Sequence, residues 1–194
     1  NSYKLTFKDN KGNVLSGPTD ISYGSTIQYP DTNKTGYTFH GWDSNLTTMP
    51  AHDLVITGTW TANSYEITWN VDGVTSKTTV TYDSTFSLPG DPVKEGYTFL
   101  GWFTAETGGD QVVAGVYKTT SNVTYYARFA IKTYTVTWVD ESGNVVDTEV
   151  VSHGANATKN PTVPAKNGYT GAWEKVATNV TADVEIKPVY TANS

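Results

Sequence analysis

The sequence contains three histidines and no cysteine, so a transition-metal site would depend on His40, His52 and His153. None of the three lies in a His-x-x-x-His spacing. His153 also stands where matching segments of the sequence carry Tyr23 and Tyr82. We therefore expect all three histidines to be structural or exposed to solvent. The sequence predicts no metal site and no cofactor.

Acidic side chains offer two other kinds of chemistry. The segment Asp9-Asn10-Lys11-Gly12-Asn13 contains calcium-ligand residue types, but Lys11 interrupts it and no distal Glu follows at the required place. It predicts a hairpin turn. Spacing alone does not exclude a carboxylate pair for glycoside hydrolysis. A reaction centre is usually formed once, from unusual loop residues, whereas the distinctive residues here recur. We predict no catalytic residues and no enzyme.

Exposed aromatic rings could bind a glycan or a protein partner by stacking. Trp60 and Trp69 flank one repeat boundary, and Phe129 and Trp138 flank the next. The alternative, which we favour, is that these rings belong to the core or seal the contact between repeats. A second candidate contact is the insertion from Thr104 to Gly115, because loops tolerate variation and carry recognition. Its simpler interpretation is a solvated hairpin loop.

The elements that would position these side chains recur three times in the same order. Each copy starts with an alternating strand, as in Tyr3-Lys4-Leu5-Thr6-Phe7, which directs Tyr3, Leu5 and Phe7 to one face. Turn residues, a second strand, a proline-containing segment and two further strands follow. Proline limits the connecting segment to a short helical turn at most. The motif Gly-Tyr-Thr-Phe-x-Gly-Trp begins at Gly36 and at Gly96, and a shortened form begins at Gly168.

This motif has a phase problem, because Phe39 and Trp42 are three residues apart and should face opposite ways in a regular strand. A β-bulge at Gly41, and likewise at Gly101, would return the tryptophan to the core side. The third copy is one residue shorter and needs no bulge. We predict that both solutions bury the tryptophan. The predicted core residues are Tyr37, Phe39, Trp42, Tyr97, Phe99, Trp102, Tyr169 and Trp173.

Composition narrows the partners. The net charge is −6 and the single arginine is Arg128, so no basic patch favours nucleic acid or an anionic membrane surface. No apolar run approaches the roughly 20 residues of a membrane span, so we predict no membrane insertion. We also predict a monomer. The sequence begins and ends with Asn-Ser, the pair that also precedes the second copy, so both ends resemble repeat boundaries.

We predict three tandem domains: 1–64, 65–133 and 134–194. Each is a small, mainly β sheet of about four strands. The linkers Thr61–Ser64 and Ala130–Thr133 would restrict movement between neighbours. By the usual scaling of size with length, each domain would measure roughly 25–30 Å, and three in line would form an elongated array of roughly 80 Å.

Together these motifs, with the closing Tyr125-Tyr126-Ala127-Arg128-Phe129, resemble the Listeria–Bacteroides repeat, also called the B repeat of listerial internalins. The first two copies match over nearly their whole length, and the third diverges. The resemblance implies an α+β, β-grasp or ubiquitin-like fold. It also implies a bacterial cell-surface or secreted protein, attached to the cell wall through regions outside this segment. The implied function is a stalk or spacer with a role in adhesion, and the alternative is a module that binds a host protein, a cell-surface protein or a glycan.

Overall fold

The computed structural model describes all 194 residues, Asn1–Ser194, as β-strands and loops without a helix. The mainly β prediction is confirmed. No helix is present that could cross a membrane. The strands are β1 (Ser2–Asp9), β2 (Val14–Ser22), β3 (Tyr37–Trp42), β4 (Leu54–Ala62), β5 (Ser64–Val71), β6 (Val74–Thr81), β7 (Thr85–Phe86), β8 (Tyr97–Phe103), β9 (Gly115–Val116), β10 (Val123–Ile131), β11 (Thr133–Val139), β12 (Val145–Ser152), β13 (Tyr169–Trp173), β14 (Val184–Ile186) and β15 (Pro188–Ala192).

The first copy forms a four-stranded sheet of order β2-β1-β4-β3. Strands β1 and β4 are parallel in its centre, and the outer strands are antiparallel to them. This is the strand arrangement that a β-grasp fold requires. The alternating residues Leu5 and Phe7 are buried with Ile56 in one core because side chains on a strand alternate between two faces.

The second copy has the same order, β6-β5-β10-β8, and in the third copy β12-β11-β14 is one sheet while β13-β15 is another. The sheet of the third copy is divided because the last strand is interrupted before Pro188. Proline has no N–H to continue a ladder. The equivalent strand β10 of the second copy runs without interruption.

The connections that would carry the β-grasp helix are irregular. An isolated bridge, Thr26 with Thr48, joins the segment between β2 and β3 to the segment between β3 and β4. Next to this bridge, Ile27 of the first segment and Met49 of the second are in the core, 5% and 1% exposed. Two loop side chains therefore cover the sheet where a helix would otherwise pack.

The predicted bulges are confirmed. The pairing of β3 with β4 passes from Phe39 directly to Gly41, so His40 is the extra residue. The pairing of β8 with β10 shifts register in the same way before Gly101. Gly41 and Gly101 have φ angles of 126° and 123°, which favour glycine. In the third copy β13 pairs with β15 without a register shift, as expected.

The predicted turns also form. Asp9 accepts hydrogen bonds from the backbone N–H groups of Lys11 and Asn13, each at 2.9 Å, and from the Asn13 amide. These bonds, that of the Asn13 side chain foremost, lower the pKa of Asp9. The carboxylate therefore organises a hairpin turn. Asp72 and Gly73, with φ of 50° and 90°, form the two-residue turn between β5 and β6.

The chain divides into two compact units. One contains residues 1–89 and 112–125, and the other contains residues 90–111 and 126–194. The division falls within the second copy. Both boundaries between successive copies therefore lie inside a unit.

Candidate functional site at the repeat junctions

The two boundaries between successive copies are much shorter than predicted. Strand β4 ends at Ala62 and β5 begins at Ser64, so only Asn63 lies between them. At the second boundary only Lys132 separates β10 from β11. The expected linkers of about four residues are thus mostly strand. Each copy is joined to the next by one residue outside a strand.

At the first junction the ring of Tyr82 lies on the backbone of Gly36. A Cβ added at Gly36 would come within 3.0 Å of three Tyr82 ring atoms, closer than real Cβ contacts. Gly36 is buried and has a φ of 77°. Both the space and the left-handed backbone therefore require glycine here. The backbone turn is closed by the Tyr37 N–H, which donates to the Lys34 carbonyl at 3.0 Å.

Asn63 connects the two copies through backbone hydrogen bonds on both sides. Its N–H donates to the Gly36 carbonyl at 2.8 Å, and its carbonyl accepts from the Tyr82 N–H at 2.9 Å. Its side-chain oxygen also accepts from the Thr38 hydroxyl at 2.6 Å. The single linker residue is therefore fixed by the glycine of one copy and the ring residue of the next.

A polar cluster surrounds the first junction. The Tyr37 hydroxyl donates to Oδ2 of Asp83 at 2.7 Å, and Lys118 donates to Oδ1 of the same carboxylate. The rings of Tyr37 and Tyr82 meet edge to face with centroids 5.8 Å apart. The hydrogen bond from Lys118, and then that from Tyr37, lower the pKa of Asp83. The same bonds raise the pKa of Lys118 and of Tyr37.

The second junction repeats the backbone arrangement with different side chains. The His153 ring lies on Gly96, which is buried with a φ of 74°, and an added Cβ would again come within 3.0 Å of ring atoms. The Lys132 N–H donates to the Gly96 carbonyl and its carbonyl accepts from the His153 N–H, both at 2.8 Å. Gly154 follows the ring residue where the first junction has Asp83. The buried Nδ1 of His153 has no hydrogen-bond partner.

The rings considered for ligand stacking are buried or half-buried, whereas stacking on a ligand requires an exposed ring face. Trp60, Trp69 and Trp138 are 7%, 2% and 3% exposed, and Phe129 is half-buried against Phe99. The Trp60 indole N–H donates to the Thr32 carbonyl at 2.9 Å. Rings buried this deeply offer no face to a ligand, so the stacking hypothesis is corrected for the three tryptophans.

The predicted core residues differ in burial. Trp102 is 3% exposed, whereas Trp42 and Trp173 are half-buried and pack against the cores of the first and third copies. Tyr37, Phe39, Tyr97 and Phe99 are also half-buried. Tyr169 is 43% exposed, so its inclusion in a buried set is corrected. Tyr37 lies at the first junction.

The other candidates are separate from the junctions. His40 and His52 are exposed. The loop from Thr104 to Gly115 is held by Arg128, whose guanidinium donates to the carbonyls of Ala105 and Gly108 and lies 4.2 Å from the centre of the Phe103 ring. A groove of about 330 Å³ in the third copy is lined by Trp173 together with Ala157, Thr158, Lys159, Lys175 and Val176, among others.

The residues of the junctions are visible in the sequence, but their contact is not. Tyr82 and His153 occupy equivalent positions in their copies, and a glycine opens each Gly-Tyr motif. One sequence signal could have linked the ring to the glycine: both positions recur in the copies, although neither belongs to an alternating strand pattern. A recurring glycine beside a recurring ring indicates close packing.

The fold and the junctions define the class of protein, which is a tandem array of small β-sheet repeats. The Listeria-Bacteroides repeat domain matches residues 3–59, 65–128 and 134–193, and the chain belongs to this family. The resemblance is thereby confirmed, and it includes the divergent third copy.

Individual relatives support the same family. Internalin H of Listeria monocytogenes is 39% identical over 107 residues, which are 50% of this chain and 20% of that protein. A Gly-rich protein of Evansella cellulosilytica, whose name assigns it to the membrane, is 26% identical over 216 residues, covering 100% of this chain and 25% of that protein. The chain thus spans about a quarter or less of these two relatives.

Among solved structures, a pair of streptococcal high identity repeats in tandem, domains 3-4 from a cell surface protein, has a TM-score of 0.26 and 17% identity. The match covers 68% of this chain and 98% of that chain.

Proposed function

We propose that this segment is a non-catalytic spacer of a bacterial cell-surface or secreted protein, in which three repeats (1–64, 65–133 and 134–194) are held in order as a monomer. The observation that carries the proposal is the pair of junctions, each with an aromatic ring seated on a buried glycine. Attachment to a cell wall would lie in regions outside this segment.

The hydrogen bonds of the linker residues support the spacer function. A spacer transmits distance only if its units keep their mutual orientation, and in tandem repeats this depends on the interfaces between neighbours. Asn63 and Lys132 each use both backbone groups, one toward the preceding glycine and one toward the following ring residue. A flexible Gly/Ser-type linker would make no such bonds.

The family supports the surface location. Internalin H matches half of the chain, and the family match covers all three copies. The names of Internalin H and of the Evansella protein mention no reaction.

Small-angle X-ray scattering of the intact chain tests the proposal. A spacer should give a maximum dimension of about 80 Å, whereas a chain folded around one centre would measure about 40–45 Å. Gly36→Ala should broaden the distance distribution because it displaces Tyr82. The matched control is Gly168→Ala, where an added Cβ meets nothing within 4 Å. A compact particle, or equal profiles for the two variants, would contradict the spacer function.

A second candidate function, adhesion, is supported by the groove of the third copy. Its volume of about 330 Å³ falls at the lower end of ligand-site volumes, and the half-buried Trp173 lines it. Calorimetry against a panel of glycans and surface proteins should detect binding that Trp173→Phe weakens and that His52→Ala, at an exposed site, leaves unchanged. A panel without binding would end this candidate.

A further inference from the structure

The third copy contains the glycine half of a junction without a ring on it. Gly168 has a φ of 78°, matching 77° at Gly36 and 74° at Gly96. The Tyr169 N–H donates to the Lys166 carbonyl at 3.0 Å, and the Asn193 N–H donates to the Gly168 carbonyl at 2.9 Å. The backbone of a junction is therefore already formed. Gly168 itself is exposed, and an added Cβ would meet nothing within 4 Å.

The first copy contains the other half. Tyr23 occupies the position of Tyr82 and His153, and its ring is 64% exposed. The Tyr23 N–H donates to the Asn1 carbonyl at 3.0 Å, as the Tyr82 N–H does to Asn63. Gly24 follows the ring with a φ of 77°, as Gly154 follows His153. The backbone at Tyr23 is thus held as it is at the internal junctions, and the side chain is exposed.

We propose that these two faces are binding surfaces for further repeats of this family. The Gly168–Tyr169 turn accepts an aromatic or histidine ring from a following repeat, and the Tyr23 ring covers the Gly-Tyr turn of a preceding repeat. The proposal rests on the proposed function, because it extends the geometry of the internal junctions to two surfaces that have the same residues and backbone.

The side chains beside each face determine which type of junction it can form. At the first junction a tyrosine after the glycine donates to Asp83 of the next copy. Tyr169 offers the equivalent hydroxyl, but so does Tyr97 at the second junction, where the next copy has Gly154, so the Gly168 face is compatible with both types of junction. Gly24 offers no carboxylate, so the Tyr23 face should form a junction of the second type, through ring and backbone alone.

A tandem duplication tests the proposal with whole chains. Residues 1–192 are joined directly to a second complete chain, so that Asn1 of the second chain replaces Asn193 of the first chain. It can then donate to Gly168 and accept from Tyr23, as Asn63 does between Gly36 and Tyr82. The first chain is isotope-labelled by segmental ligation, and the chemical shift of its Gly168 α protons is measured by NMR.

Protons beneath the face of an aromatic ring are shifted upfield. The α-proton shift of Gly168 in the labelled first chain should therefore move toward the values of Gly36 and Gly96. In a sample labelled in the second chain, Gly168 should keep the chemical shift that it has in the single chain. Tyr23→Ala in the second chain should abolish the upfield shift of Gly168 in the first chain. An unmoved Gly168 beside shifted Gly36 and Gly96 would overturn this inference alone. Unshifted Gly36 and Gly96 would overturn the internal junctions and the spacer proposal as well.

Discussion

The first and second junctions share a backbone and differ in side-chain chemistry. In both, a ring lies on a buried glycine, and one linker residue donates to that glycine and accepts from the ring residue. The first adds a hydrogen-bonded carboxylate, Asp83, between Tyr37 and Lys118. The second replaces the tyrosine with His153 and the aspartate with Gly154, and leaves a buried ring nitrogen without a partner.

Features shared by the two junctions can be separated from features that only one of them has. The glycine, the planar ring and the linker's two hydrogen bonds occur in both, so they form the minimal interface. The polar cluster occurs once, and Asp83 adopts a left-handed φ of 66° where the other copies have glycine. We infer that the minimal interface holds neighbouring repeats and that the polar groups adjust its strength.

The largest effect is expected for alanine at the junction glycines. Gly36→Ala, Gly96→Ala and Gly168→Ala should each lose about 1–2 kcal/mol in free energy of unfolding because their φ angles are left-handed. At Gly36 and Gly96 the collision with the ring should add about 1–3 kcal/mol. Chemical denaturation measures the three values, and Gly168→Ala is the control. Equal losses at all three sites would show that the rings do not press on the glycines.

Removal of the ring should have the next largest effect. Tyr82→Ala should cost about 2 kcal/mol, roughly half the loss for a fully buried aromatic residue, because the ring is half-buried. Tyr23→Ala is the matched control at the equivalent position. Since Tyr23 is 64% exposed, its loss should stay within about 0.5 kcal/mol. A Tyr23→Ala loss as large as that of Tyr82→Ala would contradict the comparison.

Conversion of the second junction toward the first should stabilise it. His153→Tyr introduces a larger ring and removes a buried nitrogen that lacks a partner, so the free energy of unfolding should rise by about 1 kcal/mol. His40→Tyr, at the exposed extra residue of a bulge, should change it little. Thermal unfolding distinguishes these outcomes. A destabilised His153→Tyr variant would indicate that the second junction is shaped for imidazole.

The smallest effect concerns acid. The bonds from Lys118 and Tyr37 hold the pKa of Asp83 below its ordinary value of 3.8, so the carboxylate stabilises the folded junction above that value. This contribution should be lost as the pH falls through the lowered pKa. In an acid titration the Gly36 resonance should change, and Asp83→Asn should remove the change. A change at Gly36 that persists in Asp83→Asn would contradict this assignment.

Local features were accessible from the sequence because they depend on neighbouring residues. The turn at Asp72-Gly73 and the bulge before Gly41 follow from residue type and strand phase. The division of the last strand in the third copy was not predicted, although Pro188 carries the signal. For the crossover between β2 and β3, the prolines predicted only that any helix would be short, and not that the helix would be absent.

The junctions were not accessible in the same way because they join positions that are far apart in the chain. Tyr82 lies 46 residues beyond Gly36, and nothing in local periodicity relates the two. The burial of Trp60, Trp69 and Trp138 likewise depends on which strand faces which loop. The sequence favoured a core over a binding surface for these residues, but only the packing distinguishes the two.

The most direct measurement is the set of glycine α-proton chemical shifts in the unmodified chain. We predict that Gly36 and Gly96 are shifted upfield by the rings of Tyr82 and His153, and that Gly168, with the same backbone and no ring, is not. Three similar shifts would mean that the rings do not occupy the glycines in solution. The interface on which the spacer function depends would then be absent.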